Sequence, residues 1–267
     1  MTTTPHATVD GQEGGDGGRR PAASRPSALR ATIPPMVSRL TAEFTGTAFL
    51  TAAVVGSGIM AERLTDDRGL QLLQNAAATA GVLVALILAL GPASGAHFNP
   101  AVTLVDRAFG GIDASTAALY VLAQVAGAIV GTMAANVMFD LPVVEWSTTA
   151  RSGGNLWFAE GVATLGLLVM IFGVVRSGRS ALAAFAVAGY IAGAYYFTSS
   201  TSFANPAVTV GRAFSDTFAG IEPASVPMFV VAQVIGALLA TGLILVLYPR
   251  VADVAKDVVV PHPDDQR

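Results

Sequence analysis

The chain has no cysteine, only three histidines and two tryptophans in 267 residues, and few charges, with Asp, Glu, Lys and Arg making up 12%. Each shortage excludes something. Without cysteine there are no disulfides, no thiolate nucleophile and no cysteine metal site. Soluble globular proteins carry about 25% charged residues, so the supply for a water-facing surface is roughly halved. Fifteen Lys and Arg against eighteen Asp and Glu leave a net charge of −3, with no basic surplus to track a nucleic-acid backbone. His6 and His262 lie near the ends, and no nucleophile or metal cluster accompanies His97. No enzyme, no metal and no cofactor is expected. What is abundant is apolar: 53% of the residues, with a mean hydropathy of +0.60. The solvent for this chain is lipid.

The uncharged stretches carry the organisation. Residues 44–61, 114–139 and 223–249 are uncharged, as are 161–175, the last extended upstream past Glu160 through Asn155–Phe158. Each supplies one helical span, since about 20 residues cross a hydrocarbon core of about 30 Å. Two further runs, Gly69–Val105 and Ser180–Gly211, are too long for one crossing and too short for two with a turn. One span plus a half span fits. The sequence puts the first break at Gly91–Gly95 and the second at Thr198–Ser202. Irregular backbone at membrane depth must be buried in protein or line a wet cavity, so both breaks are candidate sites.

The order span, long run, span occurs twice, and residues repeat with it. Ala42-Glu43 returns as Ala159-Glu160, Asn99–Thr103 as Asn205–Thr209, and Ala123-Gln124 as Ala232-Gln233. A duplicated unit with an odd number of crossings enters the membrane upside down in its second copy, which puts the functional centre where the halves meet. The expected division is a disordered N-terminal tail at 1–35, a first repeat at 36–140 and an extracellular linker at 141–154. The second repeat follows at 155–249 and a C-terminal tail at 250–267. With the N-terminus inside, four of the fifteen basic residues, Arg63, Arg68, Arg151 and Arg212, fall outside and the other eleven inside. That bias places both termini in the cytoplasm, in a multi-pass protein of the inner (plasma) membrane. The N-terminal tail lacks the short apolar core of a cleavable signal.

Asn followed by Pro starts a helix, because Asn caps it and Pro wastes no N–H at the first position. Asn99-Pro100-Ala101 and Asn205-Pro206-Ala207 stand at matching places in the two repeats. Residues 99–109 and 205–215 then read as half-helices of about 16 Å whose N-termini abut at the midplane. Each end carries roughly half a positive charge and spare donors. A cation meets repulsion there, whereas a neutral hydroxyl-bearing solute meets hydrogen-bond donors.

The paired Asn-Pro-Ala boxes, the Ser94–Phe98 segment before the first and the Ala-Glu near the start of each repeat resemble the major intrinsic protein (aquaporin) family, over about residues 36–248. The resemblance implies an all-α membrane protein with six transmembrane helices, two re-entrant half-helices and a homotetramer with a pore in each subunit. It also implies that Glu43 and Glu160 support the re-entrant segments, or serve simply as packing anchors. Carbonyls around Gly95, Ala96 and His97, and around Thr201 and Phe203, would line the pore. His97 reads equally as structural or pore-lining.

Counting from the boxes to the family's four filter positions gives Thr79, Gly193, Ser202 and Val208. The aromatic and the arginine common at those positions are absent, which implies a wide, uncharged filter. Small residues also suit helix contacts, so Thr79 and Gly193 have a packing alternative, and Gly127, Gly131, Gly236 and Gly242 are read as close packing. Val208 in place of arginine is similar to bacterial aquaporins linked to arsenic resistance. Arg212, one turn after Val208, either lines the outer vestibule or pairs with Asp216. The expected function is a passive channel for small uncharged solutes: arsenous acid, glycerol, urea and water. The alternatives are a water- or glycerol-selective aquaporin, a secondary transporter, and a non-conducting scaffold. Against a transporter, the intramembrane carboxylates are Glu43 and Glu160, and neither is adjacent to a break in sequence. Against a scaffold, both boxes are intact.

Overall fold

In the computed structural model the described residues are 35–249, so the expected terminal tails lie outside them. Eight α-helices follow one another among those residues: α1 Pro35–Leu64, α2 Arg68–Ser94, α3 Pro100–Phe109, α4 Ala114–Met138, α5 Gly154–Arg176, α6 Ala183–Phe197, α7 Pro206–Gly211 and α8 Val226–Leu247. Six of the helical segments are long and apolar enough to cross a membrane, and α3 and α7 are the short ones. α1 packs against α2 and α4, α5 packs against α6 and α8, and α2 meets α6 where the two repeats join. The two expected repeats thus share a helix interface.

Local chemistry sets the ends of these helices. Asp67 caps α2 by accepting from the Leu70 amide at 2.9 Å, and Asp113 caps α4 by accepting from the Thr116 amide at 2.8 Å. α2 runs through Pro92 to Ser94 and stops at Gly95, whose φ of 86° is the left-handed cap. The first break thus begins at Gly95, later than the Gly91–Gly95 expected from sequence. Pro92 sits in the last turn, where it removes one hydrogen bond without ending the helix. The second break opens at Thr198, as expected. The second half-helix is shorter than expected. α7 ends at Gly211 and continues as a single 3₁₀ turn over Arg212–Phe214.

Small residues bring the helices close. A Cβ on Gly127 would run into the Phe44 carbonyl, one on Gly131 into the Ala48 carbonyl, and one on Gly236 into the Gly161 carbonyl. The same device therefore holds α1 to α4 and α5 to α8. On Gly211 a Cβ would stand 2.7 Å from the Ala128 carbonyl oxygen, which seats α7 against α4. Gly242 differs from expectation, being exposed with open space around it.

Asp113 gives a pH-dependent prediction. Hydrogen bonds from the Ser115 hydroxyl, then from the Thr116 amide and hydroxyl, hold its carboxyl well below the usual carboxylate range. A lowered folded pKa means that the cap stabilises above the ordinary carboxylate pKa and stops doing so as pH falls through the folded value. Asp113→Ala should unfold at a lower temperature than wild type at neutral pH, with the gap closing in acid. Thermal unfolding in detergent at both pH values checks this, and equal midpoints at neutral pH would contradict it.

Candidate functional site

Each half-helix hangs from a repeated hydrogen-bonded module. Glu43, fully buried on α1, accepts from the Ser94 hydroxyl at 2.6 Å, the His97 amide at 3.0 Å, the Phe98 amide at 2.8 Å and the Gln124 side chain at 2.7 Å. Glu160, fully buried on α5, accepts from the Phe203 and Ala204 amides, each at 2.9 Å, and from Gln233 at 2.6 Å. The glutamine amides reach onward, Gln124 to Thr103 and Gln233 to Thr209, both at 2.9 Å. Those threonine hydroxyls donate to the Asn99 and Asn205 carbonyls at 3.1 and 2.8 Å. Folding thus carries both carboxylates onto the breaks, contrary to their distance from them in sequence. There they satisfy backbone donors that lipid could not.

The broken segments depend on that support. Ala96, Phe98, Thr201, Ser202 and Ala204 all have positive φ, between 47° and 63°. A left-handed non-glycine residue costs roughly 1–2 kcal/mol, so the backbone needs the carboxylate bonds to stay in this shape. The two boxes then lock to each other. The Asn99 amide donates to the Ala204 carbonyl and the Asn205 amide to the Phe98 carbonyl, both at 2.8 Å. Asn99 Oδ1 caps α3 through the Ala101 amide at 2.9 Å, and Asn205 Oδ1 caps α7 through Ala207 and Val208 at 3.0 and 3.2 Å. An asparagine amide has two N–H groups, so each retains one donor beyond the cross-lock. Pro100, Ala101, Pro206 and Ala207 are buried behind them.

A lumen of about 60 Å³ runs past the boxes. A single water requires roughly 10–15 Å³, so this space holds a few waters. Leu50, Val54, Leu83, Ile87, Leu167, Ile171, Val187 and Ile191 form its apolar wall. Ala96, His97, Phe98 and Asn99 line it from the first break, and Ser202, Phe203 and Asn205 from the second. Of the residues expected to offer pore carbonyls, Gly95 is absent from the lumen wall, and Thr201 lines the wider vestibule on the linker side instead.

The filter positions divide. Thr79, Ser202 and Val208 line the lumen, whereas Gly193 is exposed on the outer face of α6 with nothing near the place of a Cβ. Tyr195 faces the lumen instead, its hydroxyl 3.2 Å from that of Thr79. Positions two apart on a helix point about 200° apart, so a count from the box that misses by two residues lands on the opposite face. The lumen is not free of aromatic side chains, nor of arginine. Arg212 lines both the lumen and the vestibule; it forms no ion pair with Asp216, which accepts from the Thr148 amide at 2.8 Å. His97 Nε2 lies 3.5 Å from an Asp106 carboxylate oxygen. The Arg212 guanidinium instead lies 3.4 Å from the centre of the Phe203 ring, and its Nε donates to the Ala219 carbonyl.

The linker completes this mouth, which composition alone did not suggest. Arg151 stacks on Phe203 at 5.1 Å and donates to the Gly220 and Phe218 carbonyls at 2.8 and 3.3 Å. Burial pulls its pKa down from the arginine range. The Ser147 amide bonds the Ala213 carbonyl at 3.0 Å, and Asn136 donates to the Phe214 carbonyl at 2.9 Å. The vestibule beneath is about 510 Å³, with Glu62, Arg68, Arg151, Arg212 and Asp216 on its wall. His97 stands on the α3 side. It lines the lumen and bonds Thr103 through Nδ1 at 3.1 Å, with its ring edge-on to Tyr120.

The family model described as Major intrinsic protein matches residues 31–197 and 176–265 of this chain. An aquaglyceroporin, AqpS, of Rhizobium meliloti (strain 1021) is 50% identical over 208 residues, covering 78% of this chain and 89% of that protein. The maize aquaporin NIP1-1 is 30% identical over 209 residues, covering 76% and 72% respectively. The X-ray structure of the aquaglyceroporin from Plasmodium falciparum superposes with a TM-score of 0.63 at 22% identity, over 81% of this chain and 98% of that one. That structural likeness speaks to the fold.

Proposed function

The chain belongs to the major intrinsic protein family, whose members are passive channels rather than enzymes, and from that premise we propose a channel for water, glycerol and other small uncharged solutes. The observation that carries the proposal is the cross-locked pair Asn99 and Asn205. Two helix N-termini meet with a positive potential of roughly half a charge each, and each asparagine keeps one N–H beyond the lock. A neutral solute crosses by exchanging its hydrogen bonds between these donors and the carbonyls of the breaks. The aliphatic wall offers no partner to hold it elsewhere. A cation or hydronium is repelled at the centre and again near Arg212.

Urea and arsenous acid extend the proposed range. Both are uncharged, and arsenous acid, with three hydroxyls, is about the size of glycerol. Val208 leaves no charge at the position where the family commonly has arginine, and the similar AqpS carries the name aquaglyceroporin. The filter in this reading comprises Thr79, Ser202 and Val208, with Arg212 at the vestibule and Glu43 and Glu160 as supports. We place the linker outside and both termini in the cytoplasm, on the arginine bias. Large apolar side chains face outward, Phe158 76% and Leu122 66% exposed, which suits lipid and the neighbouring subunits of a homotetramer in the inner membrane.

Stopped-flow light scattering on proteoliposomes tests the solute range. Water, glycerol, urea and arsenous acid should each equilibrate well above the rate of protein-free vesicles. Fast water with the other three at background would overturn the broader range.

A further inference from the structure

We propose that the vestibule on the linker side binds a singly charged oxyanion against Arg151 and Arg212, and that the bound anion plugs the channel. The plugging role rests on the channel reading above. The two guanidinium groups stand over one ring, 5.1 and 3.4 Å from the centre of Phe203, and both side chains line the vestibule. Like charges this close repel. Three successive carbonyls of one loop hold them there: Phe218 and Gly220 accept from Arg151, and Ala219 accepts from Arg212 Nε. A guanidinium has five N–H donors, so these bonds leave much of both forks unused. Arg212 is the sharper case. It is 3% exposed, and its terminal nitrogens donate to no acceptor among the described residues. The carboxylates of the same wall are engaged by backbone, Glu62 by the Phe218 amide at 3.1 Å and Asp216 by the Thr148 amide at 2.8 Å. Arg68, Arg151 and Arg212 against Glu62 and Asp216 leave the wall with one net positive charge.

A small oxyanion of unit charge answers each of these features. Its oxygens accept paired bonds from the planar guanidinium forks, its charge balances the wall, and its presence relieves the repulsion across Phe203. A neutral solute gains the hydrogen bonds without the charge. The vestibule, about 510 Å³, has room for the anion and part of its hydration. The lumen beyond does not receive it, because its aliphatic wall would leave the charge unpaired, at high cost. Arg212 lines both spaces, so an anion held by it stands where the vestibule meets the lumen. Water and polyols are then stopped alike, to an extent that the anion concentration sets.

The test is water and glycerol flux in proteoliposomes as methanesulfonate or inorganic phosphate replaces chloride on both sides at constant ionic strength, with calorimetric titration of the same anions into the purified protein. Both fluxes should fall together as either oxyanion rises, with half-inhibition near the calorimetric Kd. Arg151→Gln should weaken binding about tenfold, the loss of a charged hydrogen-bonding partner. Glu62→Gln keeps an acceptor for the Phe218 amide and removes a negative charge, so it should tighten binding about threefold. A gain of affinity is not a symptom of misfolding, and if Arg151→Gln does not assemble, Glu62→Gln decides. Wild-type fluxes indifferent to both anions, with no heat of binding, would overturn the proposal and leave the channel reading standing. Inhibition that neither substitution alters would also overturn it. Calorimetric binding by protein that conducts neither water nor glycerol would support the site and overturn the channel reading.

Discussion

Replacing Glu160 with leucine is expected to bring water permeability down to that of protein-free vesicles. The side chains are of similar size, so the change is chiefly the loss of an acceptor. Three buried donors, the Phe203 and Ala204 amides and the Gln233 amide, lose their partner at once. Each buried unsatisfied donor costs about 1–3 kcal/mol, or roughly 3–9 kcal/mol together. That is comparable with the whole folding stability of a typical domain, about 5–15 kcal/mol. The loss also falls on backbone that is already strained, since Ser202 and Ala204 have φ of 52° and 47°. Glu43→Leu should act alike, with four donors released. Glu160→Gln retains one acceptor oxygen and should keep part of the flux. Stopped-flow water permeability, with size-exclusion profiles to follow folding, checks the series. Wild-type flux through Glu160→Leu would mean that the second break is held by other contacts.

Val208→Arg should cut glycerol and arsenous acid flux about tenfold, equivalent to about 1.4 kcal/mol of added barrier, and water flux by much less. Val208 is 4% exposed and lines the lumen beside Thr79 and Ser202. An arginine there places a long side chain in a space that holds a few waters. It also sets a second guanidinium on a lumen wall that Arg212 already lines, where like charges repel. Water slips past a narrowed wall more readily than a three-carbon polyol. The same proteoliposome panel measures all three solutes, and an equal loss for each would contradict a filter role for Val208.

The sequence made the architecture readable because lipid enforces it. Runs of uncharged residues must be spans, and two runs of awkward length had to contain half-helices, which α3 and α7 are. The repeats also exposed the supports. Ala42-Glu43 and Ala159-Glu160 recur, and so do Gln124 and Gln233, whose role as bridges from carboxylate to threonine emerged only with the fold. Gln124 and Gln233 could have been singled out from sequence, as polar residues repeated inside uncharged spans. The mouth was far less legible. Whether position 193 or 195 faces the lumen depends on where α6 ends, and a count from Asn205 carries no information about that. Arg212 has a carboxylate four residues on, a pattern that suits an ion pair on a regular helix. The chain leaves the α-helix at Gly211 and turns Arg212 onto Phe203 instead. The linker residues Ser147 and Arg151 reach the mouth through backbone carbonyls, contacts that no residue pattern announces.

The central claim is passive conduction of neutral solutes past two abutting helix ends that repel cations. Glycerol uptake into proteoliposomes loaded with a pH-sensitive dye, with and without imposed proton and sodium gradients, tests it most directly. The account predicts that the glycerol gradient alone sets the uptake rate, unchanged by either ion gradient, while internal pH drifts no faster than in protein-free vesicles. Uptake that follows an ion gradient, or acidification that accompanies glycerol entry, would contradict it.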